Sequence, residues 1–184
     1  MWFRYDIMDY QIEARSVMIL AEIVTNDKGQ KVVEIDTIAF SSKRRIDWAG
    51  VEEYLKKYVG QKYQIDETDD LIYIGSDFPD EYANSNYSAR AHGTIGKAKA
   101  NASQVIPELI KIATNIAYRE NSDDKHSKDA KFGWYRCTVR FTLPTCDDKG
   151  NVIGKNAFQG RMIIRFDEDG KKYLYDIIDI KKET

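Results

Sequence analysis

The sequence predicts an α+β fold: a long, proline-interrupted helix packed on an antiparallel meander sheet, preceded by an N-terminal hairpin and helix extension. Three observations carry this. Ile95, Ala98, Ala102, Val105, Leu109, Ala113 and Ile116 recur at spacings of three and four, which is the period of an amphipathic helix. Three strand-like runs then close the chain, over Gly133–Pro144, Phe158–Phe166 and Lys172–Ile180. Only short acidic, glycine-bearing turns separate them, Asp147-Asp148-Lys149-Gly150-Asn151 and Asp167-Glu168-Asp169-Gly170, and short connections force antiparallel neighbours.

Taken in order, the chain opens with a weakly amphipathic stretch, Trp2 to Ala14, read as a helix. Arg15–Thr25 and Lys31–Phe40 are β-rich runs around Asn26-Asp27-Lys28-Gly29-Gln30, a turn-forming sequence, and together they read as a hairpin. Asp47 is placed to cap a helix whose face is Trp48, Val51, Tyr54, Leu55 and Tyr58, with Glu52 and Glu53 near its start, Lys56 and Lys57 near its end, and Gly60 to stop it. Gln61–Asp66 and Leu71–Gly75 read as short strands, and Ser76-Asp77-Phe78-Pro79-Asp80 as a loop. The helical pattern then runs from about Tyr87 to Arg119, with Lys97, Asn101, Gln104, Glu108, Lys111, Asn115 and Tyr118 on its polar side. Pro107 must kink or restart it, because proline removes one hydrogen bond and crowds the preceding turn. Gly93 and Gly96 read as helix-start or close-packing residues rather than a phosphate loop, since no strand leads into them. The domain division that follows is 1–63 as an extension packed on the rest and 64–184 as the main domain.

The 184 residues suit one domain. The net charge of -2 hides segregation. Residues 64–81 carry seven acids and no Lys or Arg, while residues 87–140 carry ten Lys or Arg against five acids. A polyanion would meet the middle of the chain. No apolar run is long enough to span a bilayer and no signal peptide stands at Met1, which excludes a membrane partner and suggests a cytoplasmic protein. Cys137 and Cys146 are expected to be reduced. Those two thiols with two distant histidines make a poor zinc set, and no nucleotide-cofactor fingerprint is present, so neither metal nor cofactor is expected.

What remains is a cationic, aromatic constellation. The segment Lys125-His126-Ser127-Lys128 puts one of the two histidines among lysines, and Gly133-Trp134-Tyr135-Arg136 follows. Cleaving RNA without a metal calls for a proton-transfer group near neutral pH, cations for a phosphate and flat surfaces for bases. Alternation along the first meander strand puts Trp134, Arg136, Thr138 and Arg140 on one face and Tyr135, Cys137, Val139 and Phe141 on the core face. The competing reading is a solvated polar loop, with Arg136 and Arg140 paired across strands to acids such as Asp176.

Several segments carry a family resemblance: Tyr73-Ile74-Gly75-Ser76-Asp77-Phe78-Pro79-Asp80-Glu81-Tyr82, Lys97-Ala98-Lys99-Ala100-Asn101-Ala102, Ile106-Pro107-Glu108-Leu109-Ile110, Lys125-His126, Gly133-Trp134-Tyr135-Arg136, Phe141-Thr142-Leu143-Pro144 and Tyr173-Leu174-Tyr175-Asp176-Ile177. Through these, Leu71 to Thr184 resembles the phage and mobile-element branch of the barnase–EndoU–colicin–RelE-like nuclease superfamily, related to large polyvalent protein-associated domains. The resemblance implies a helix on a four-stranded antiparallel sheet and metal-independent RNA cleavage by 2′-hydroxyl attack. It also implies a toxin role, often at the tip of a larger polypeptide delivered into a target cell, with an acidic immunity protein as a possible partner. The residues placed in the site are His126, Lys99, Arg136 and Tyr175 for catalysis, and Lys97, Lys125, Lys128, Trp134 and Arg140 for RNA binding. The alternative is a non-catalytic nucleic-acid- or protein-binding module. An ADP-ribosyltransferase-type effector ranks third, for lack of its residue constellation.

Overall fold

The computed structural model describes residues 21–41, 45–122 and 130–184. The expected helix over 2–14, the first residues of the Arg15–Thr25 run, and Lys125, His126 and Lys128 lie outside the described residues. The fold is mixed α+β, built on one curled, mostly antiparallel sheet.

The hairpin forms β1 (Ala21–Thr25) and β2 (Lys31–Ile35), so the second strand is shorter than its apolar run suggests. Its turn is closed locally: Asn26 Oδ1 accepts from Lys28 N at 3.0 Å and Gln30 N at 2.9 Å. Asp47 caps α1 (Trp48–Leu55) by accepting from Gly50 N at 2.9 Å, and the chain leaves through a 3₁₀ turn at Lys56–Tyr58. Short strands β3 (Lys62–Gln64) and β4 (Leu71–Tyr73) follow.

The helical region departs from its sequence pattern. The expected loop at 76–80 instead starts α2 (Phe78–Asn84), with Pro79 in the first turn, where a missing N–H costs nothing, and Asp80 and Glu81 beside the positive end of the dipole. No single long helix spans 87–119. The region contains α3 (Asn86–Arg90), α4 (Gly93–Ala102), a 3₁₀ turn at Ser103–Val105 and α5 (Ile106–Lys111), with Pro107 in the first turn of α5. The end of the run is β5 (Thr114–Arg119), a strand. Nor is the polar stripe all solvent-facing. Asn101 is fully buried, accepting from Ala39 N and Phe40 N and donating to Phe40 O, which ties the segment after β2 to α4. Buried Gln104 accepts from the Tyr58 hydroxyl through its backbone carbonyl at 2.9 Å.

The meander forms as expected and is longer: β6 (Trp134–Cys146), β7 (Val152–Phe166) and β8 (Lys172–Glu183), all antiparallel. Its turns repeat the device of the first hairpin. Asp147 Oδ1 accepts from Lys149 N and Asn151 N, and Asp169 Oδ1 accepts from Lys171 N. The sheet is larger than the four strands expected. Its order is β1-β2-β6-β7-β8-β4-β3, with β5 also paired to β6, and β2–β6 and β4–β8 run parallel. Residues 21–63 therefore supply β1, β2 and the first two residues of β3 to the common sheet, and Val33 with Val51 and Leu55 of α1 to the common core.

The helices cover one face of β6–β8. Cys137, Val139, Phe141, Met162, Ile164, Leu174 and Ile177 are buried there with Phe78, Tyr82, Ile106, Leu109 and Ile110. Burying each such side chain contributes roughly 1.5–3 kcal/mol. The other face of β6, namely Trp134, Arg136, Thr138, Arg140 and Thr142, is only half-buried, in the alternation the sequence predicts. Cys137 and Cys146 stand on the same strand as free thiols, the first buried and the second exposed, and burial pushes the Cys137 thiol up to about 12.

Candidate nucleic-acid interface

Two strands build the site. β5 lies antiparallel to the first half of β6, pairing Arg119 with Trp134, Ala117 with Arg136 and Thr114 with Thr138. Directly paired residues share a face, so Arg119 joins Trp134 and Arg136 on the half-buried side. Ala117, with its small side chain, stands opposite Arg136. β7 and β8 complete the wall with Ile163, Tyr175 and Asp176. The result is a cleft of about 660 Å³, whose rim includes Glu120, Asn121 and Ser122.

Its aromatic element is rigid. Trp134 and Tyr175 meet edge to face, with ring centroids 5.1 Å apart and planes at 78°. The Trp134 indole Nε1 donates to Asn121 Oδ1 at 3.2 Å, which fixes the ring. Burial, and then a hydrogen bond to Glu81, hold the Tyr175 phenol well above its ordinary pKa. At neutral pH it is a neutral hydroxyl whose one proton goes to Glu81, which leaves it unfit to serve as a base and leaves its ring as the surface it offers the cleft.

The charge of the cleft comes from arginine. Arg136 Nε is buried with no hydrogen-bond partner, and the guanidinium forms no ion pair among the described residues. It therefore carries a positive charge with unused donors, five in total for this side chain. Arg140, further along the same face, is tied down. Its Nη2 donates to Gln159 Oε1 at 3.0 Å, and Glu183 lies 3.5 Å from its Nε. Cross-strand pairing thus holds for Arg140, with Glu183 in place of Asp176.

Asp176 belongs to a different pair, and this corrects the expectation for Lys99. The lysine is fully buried on α4, with its Nζ 2.6 Å from Asp176 Oδ1, 3.4 Å from Ser85 Oγ and over the rings of Tyr82 and Tyr87. It cannot touch a phosphate without abandoning a buried carboxylate. Burial lowers the Lys99 pKa and raises that of Asp176, and the contact opposes both shifts. Asp176 also accepts from the Ile177 backbone N at 2.7 Å. Lys97, half-buried on the same helix, does not line the cleft.

Of the residues singled out from sequence, the structure thus gathers Trp134, Arg136 and Tyr175, sets Arg140 along the same strand, and removes Lys99. It adds Arg119, Asn121, Ile163 and Asp176. The pairing of β5 with β6 brings Arg119 and Asn121 into place, and the helical reading of 87–119 conceals that pairing. Among the described residues no group of three or more His, Cys, Asp or Glu is arranged to hold a metal ion, and no helix is long and apolar enough to cross a membrane. Comparison with protein-family models, with curated proteins and with solved structures gives no match.

Proposed function

We propose that this protein binds single-stranded RNA, with one nucleotide seated in the cleft between β5 and β8. The observation that supports it best is the conjunction at the cleft wall. An arginine with unused donors and no ion pair stands two residues from a Trp–Tyr edge-to-face pair, and the rim carries a second arginine. Arg136 supplies phosphate contacts, Trp134 and Tyr175 supply an aromatic surface for a base, and Ile163 excludes water from the wall.

A second reading keeps the ribonuclease activity that the family resemblance implies. Ser122 is on the rim, and His126 follows it by four residues in sequence. In that reading His126 is the proton-transfer group for 2′-hydroxyl attack and Arg136 offsets charge on the phosphate. The products carry a 2′,3′-cyclic phosphate and chelators have no effect.

One experiment separates the readings. Pure protein is incubated with single-stranded RNA in EDTA, beside Arg136→Ala, Trp134→Ala and His126→Ala, scoring binding by filter retention and cleavage on gels. Binding lost in the first two variants, with no cleavage by any protein, supports the binding module. Cleavage that disappears with His126→Ala supports the ribonuclease. RNA retained equally by wild type and Arg136→Ala refutes both.

A further inference from the structure

We infer that β6 acts as a track for an extended RNA strand, with a second phosphate-contacting subsite at the cleft flanked by Lys111 and Arg140. The inference rests on the single-stranded RNA reading above and extends it from one nucleotide to a segment of defined direction along the strand.

Three observations carry it. The first is a second cleft, of about 520 Å³, lined by Thr138 and Arg140 of β6 and by Thr114 and Asn115 of β5. The same two strands therefore wall both clefts. Trp134 and Arg136 face the first, and Thr138 and Arg140, next along the same face, face the second. The second is a built irregularity. The β5–β6 register slips between Thr114 and Ala117, where Asn115 adopts φ 53°. β5 pairing ends at Thr138 and β2 pairing begins only at Phe141, so Val139 and Arg140 have no strand partner on that edge. The strands part there and open the notch beside Arg140. Asparagine is one of the few non-glycine residues that adopt this left-handed conformation readily, and bulges are over-represented at sheet edges and beside sites.

The third observation is charge and spacing. Arg136 and Arg140 stand four residues apart on one face, so their Cα atoms are separated by about 13 Å. An extended single strand covers such a distance in a few nucleotide steps. The second cleft is lined by Lys31, Lys111 and Arg140 against Asp66 and Glu67, with Asp66 paired to Lys31 at 3.1 Å. Glu183, outside the lining, lies 3.5 Å from Arg140 Nε, so Lys111 is the cation there with no ion pair among the described residues. Between the subsites lie Thr138 and Ala117, small enough for a backbone to pass over.

The test uses fluorescence anisotropy with 2′-O-methyl oligouridylates, which bind without being cut by 2′-hydroxyl attack, from a dinucleotide to about eight residues long. The full chain is compared with Arg136→Ala, Arg140→Ala and Lys111→Glu. Lys111 is exposed, so its variant keeps the fold if Arg140→Ala does not. The expected result is length-dependent: Arg136→Ala weakens binding of every oligomer, while Arg140→Ala and Lys111→Glu weaken the long one by roughly five-fold and leave the dinucleotide unchanged. If Arg136 matters but neither second-cleft variant has an effect at any length, the track is overturned and the one-nucleotide cleft stands. If Arg136→Ala changes nothing, the RNA reading falls and the track with it.

Discussion

Replacing Lys99 with methionine removes one member of the most deeply buried ion pair in the described fold. The Lys99 and Asp176 side chains are 0% and 4% exposed and meet at 2.6 Å. Removing one partner strands a carboxylate whose ordinary compensation is water, and such losses cost about 3–5 kcal/mol. With a urea slope of about 2 kcal/mol per molar, a 4 kcal/mol loss moves the unfolding midpoint down by about 2 M. Lys99→Met/Asp176→Leu, with both charges replaced by apolar groups, should recover most of that loss, because a buried pair contributes little beyond an apolar equivalent. The pH dependence separates the single variants. In Lys99→Met the remaining carboxyl has a raised folded-state pKa. Its proton binds more tightly in the native state, so the stability it contributes is full below the ordinary 3.8 and is lost as pH rises through the folded value. In Asp176→Asn the remaining amine has a lowered folded-state pKa, so its contribution is full above the ordinary 10.5 and is lost as pH falls through the folded value. Relative to wild type, acid therefore favours Lys99→Met and base favours Asp176→Asn. Urea denaturation followed by tryptophan fluorescence between pH 5 and pH 9 measures both. A double variant no more stable than the singles, or equal pH slopes in the two singles, would refute the argument.

Three further outcomes follow from the geometry. Asp47→Ala removes the cap on Gly50 N and should cost about 1 kcal/mol in thermal unfolding without changing RNA binding. Gly133→Ala should be worse: Gly133 has φ 95° and a Cβ there would lie 2.6 Å from Arg119 O, so a loss of about 1–3 kcal/mol is expected, together with a disturbed β5–β6 ladder seen as faster amide exchange at Arg119 and Trp134. Trp134→Ala should lower RNA affinity by about 1–3 kcal/mol at constant salt, while Arg136→Ala should reduce the slope of log affinity against log salt by about one contact, and titrations at several salt concentrations distinguish the two.

The parts of this fold legible in the sequence are those set by local chemistry. Alternation from Trp134 to Leu143 assigns each side chain to its face, and Asn26, Asp147 and Asp169 mark turns that their own side chains close. The segment 114–119 shows where local reading runs out. Ile116 continues the helical spacing from Leu109 and Ala113, yet Thr114, Ile116 and Tyr118 also alternate with period two, and such residues favour strands. Both patterns coexist, and pairing with β6, a distant partner, decides between them. Phe78-Pro79 misleads differently, because the same proline that suggests a loop is equally suited to the first turn of a helix. Lys99 is illegible for a third reason. Its neutralising partner lies 77 residues away in sequence, and the spacing within its own helix gives no sign of it.

That distant pairing changes how the cleft acquires its charge. Asp176 lines the wall, and with Lys99 absent it would set a carboxylate against the phosphate that Arg136 is proposed to hold. With Lys99 2.6 Å behind it, the carboxylate is compensated from within the protein, and Arg119 and Arg136 face only Glu120 at the cleft. Lys99 thus favours an anion without meeting one, by cancelling a charge that the fold has buried beside the site. The same variants used for stability carry this argument further. Lys99→Met, assayed at a urea-free temperature where it remains folded, should bind RNA more weakly than wild type, and Lys99→Met/Asp176→Leu should regain the affinity because the uncompensated carboxylate has gone with the lysine. A lysine that contacted phosphate directly would leave the double variant as weak as the single one, since both would lack that contact.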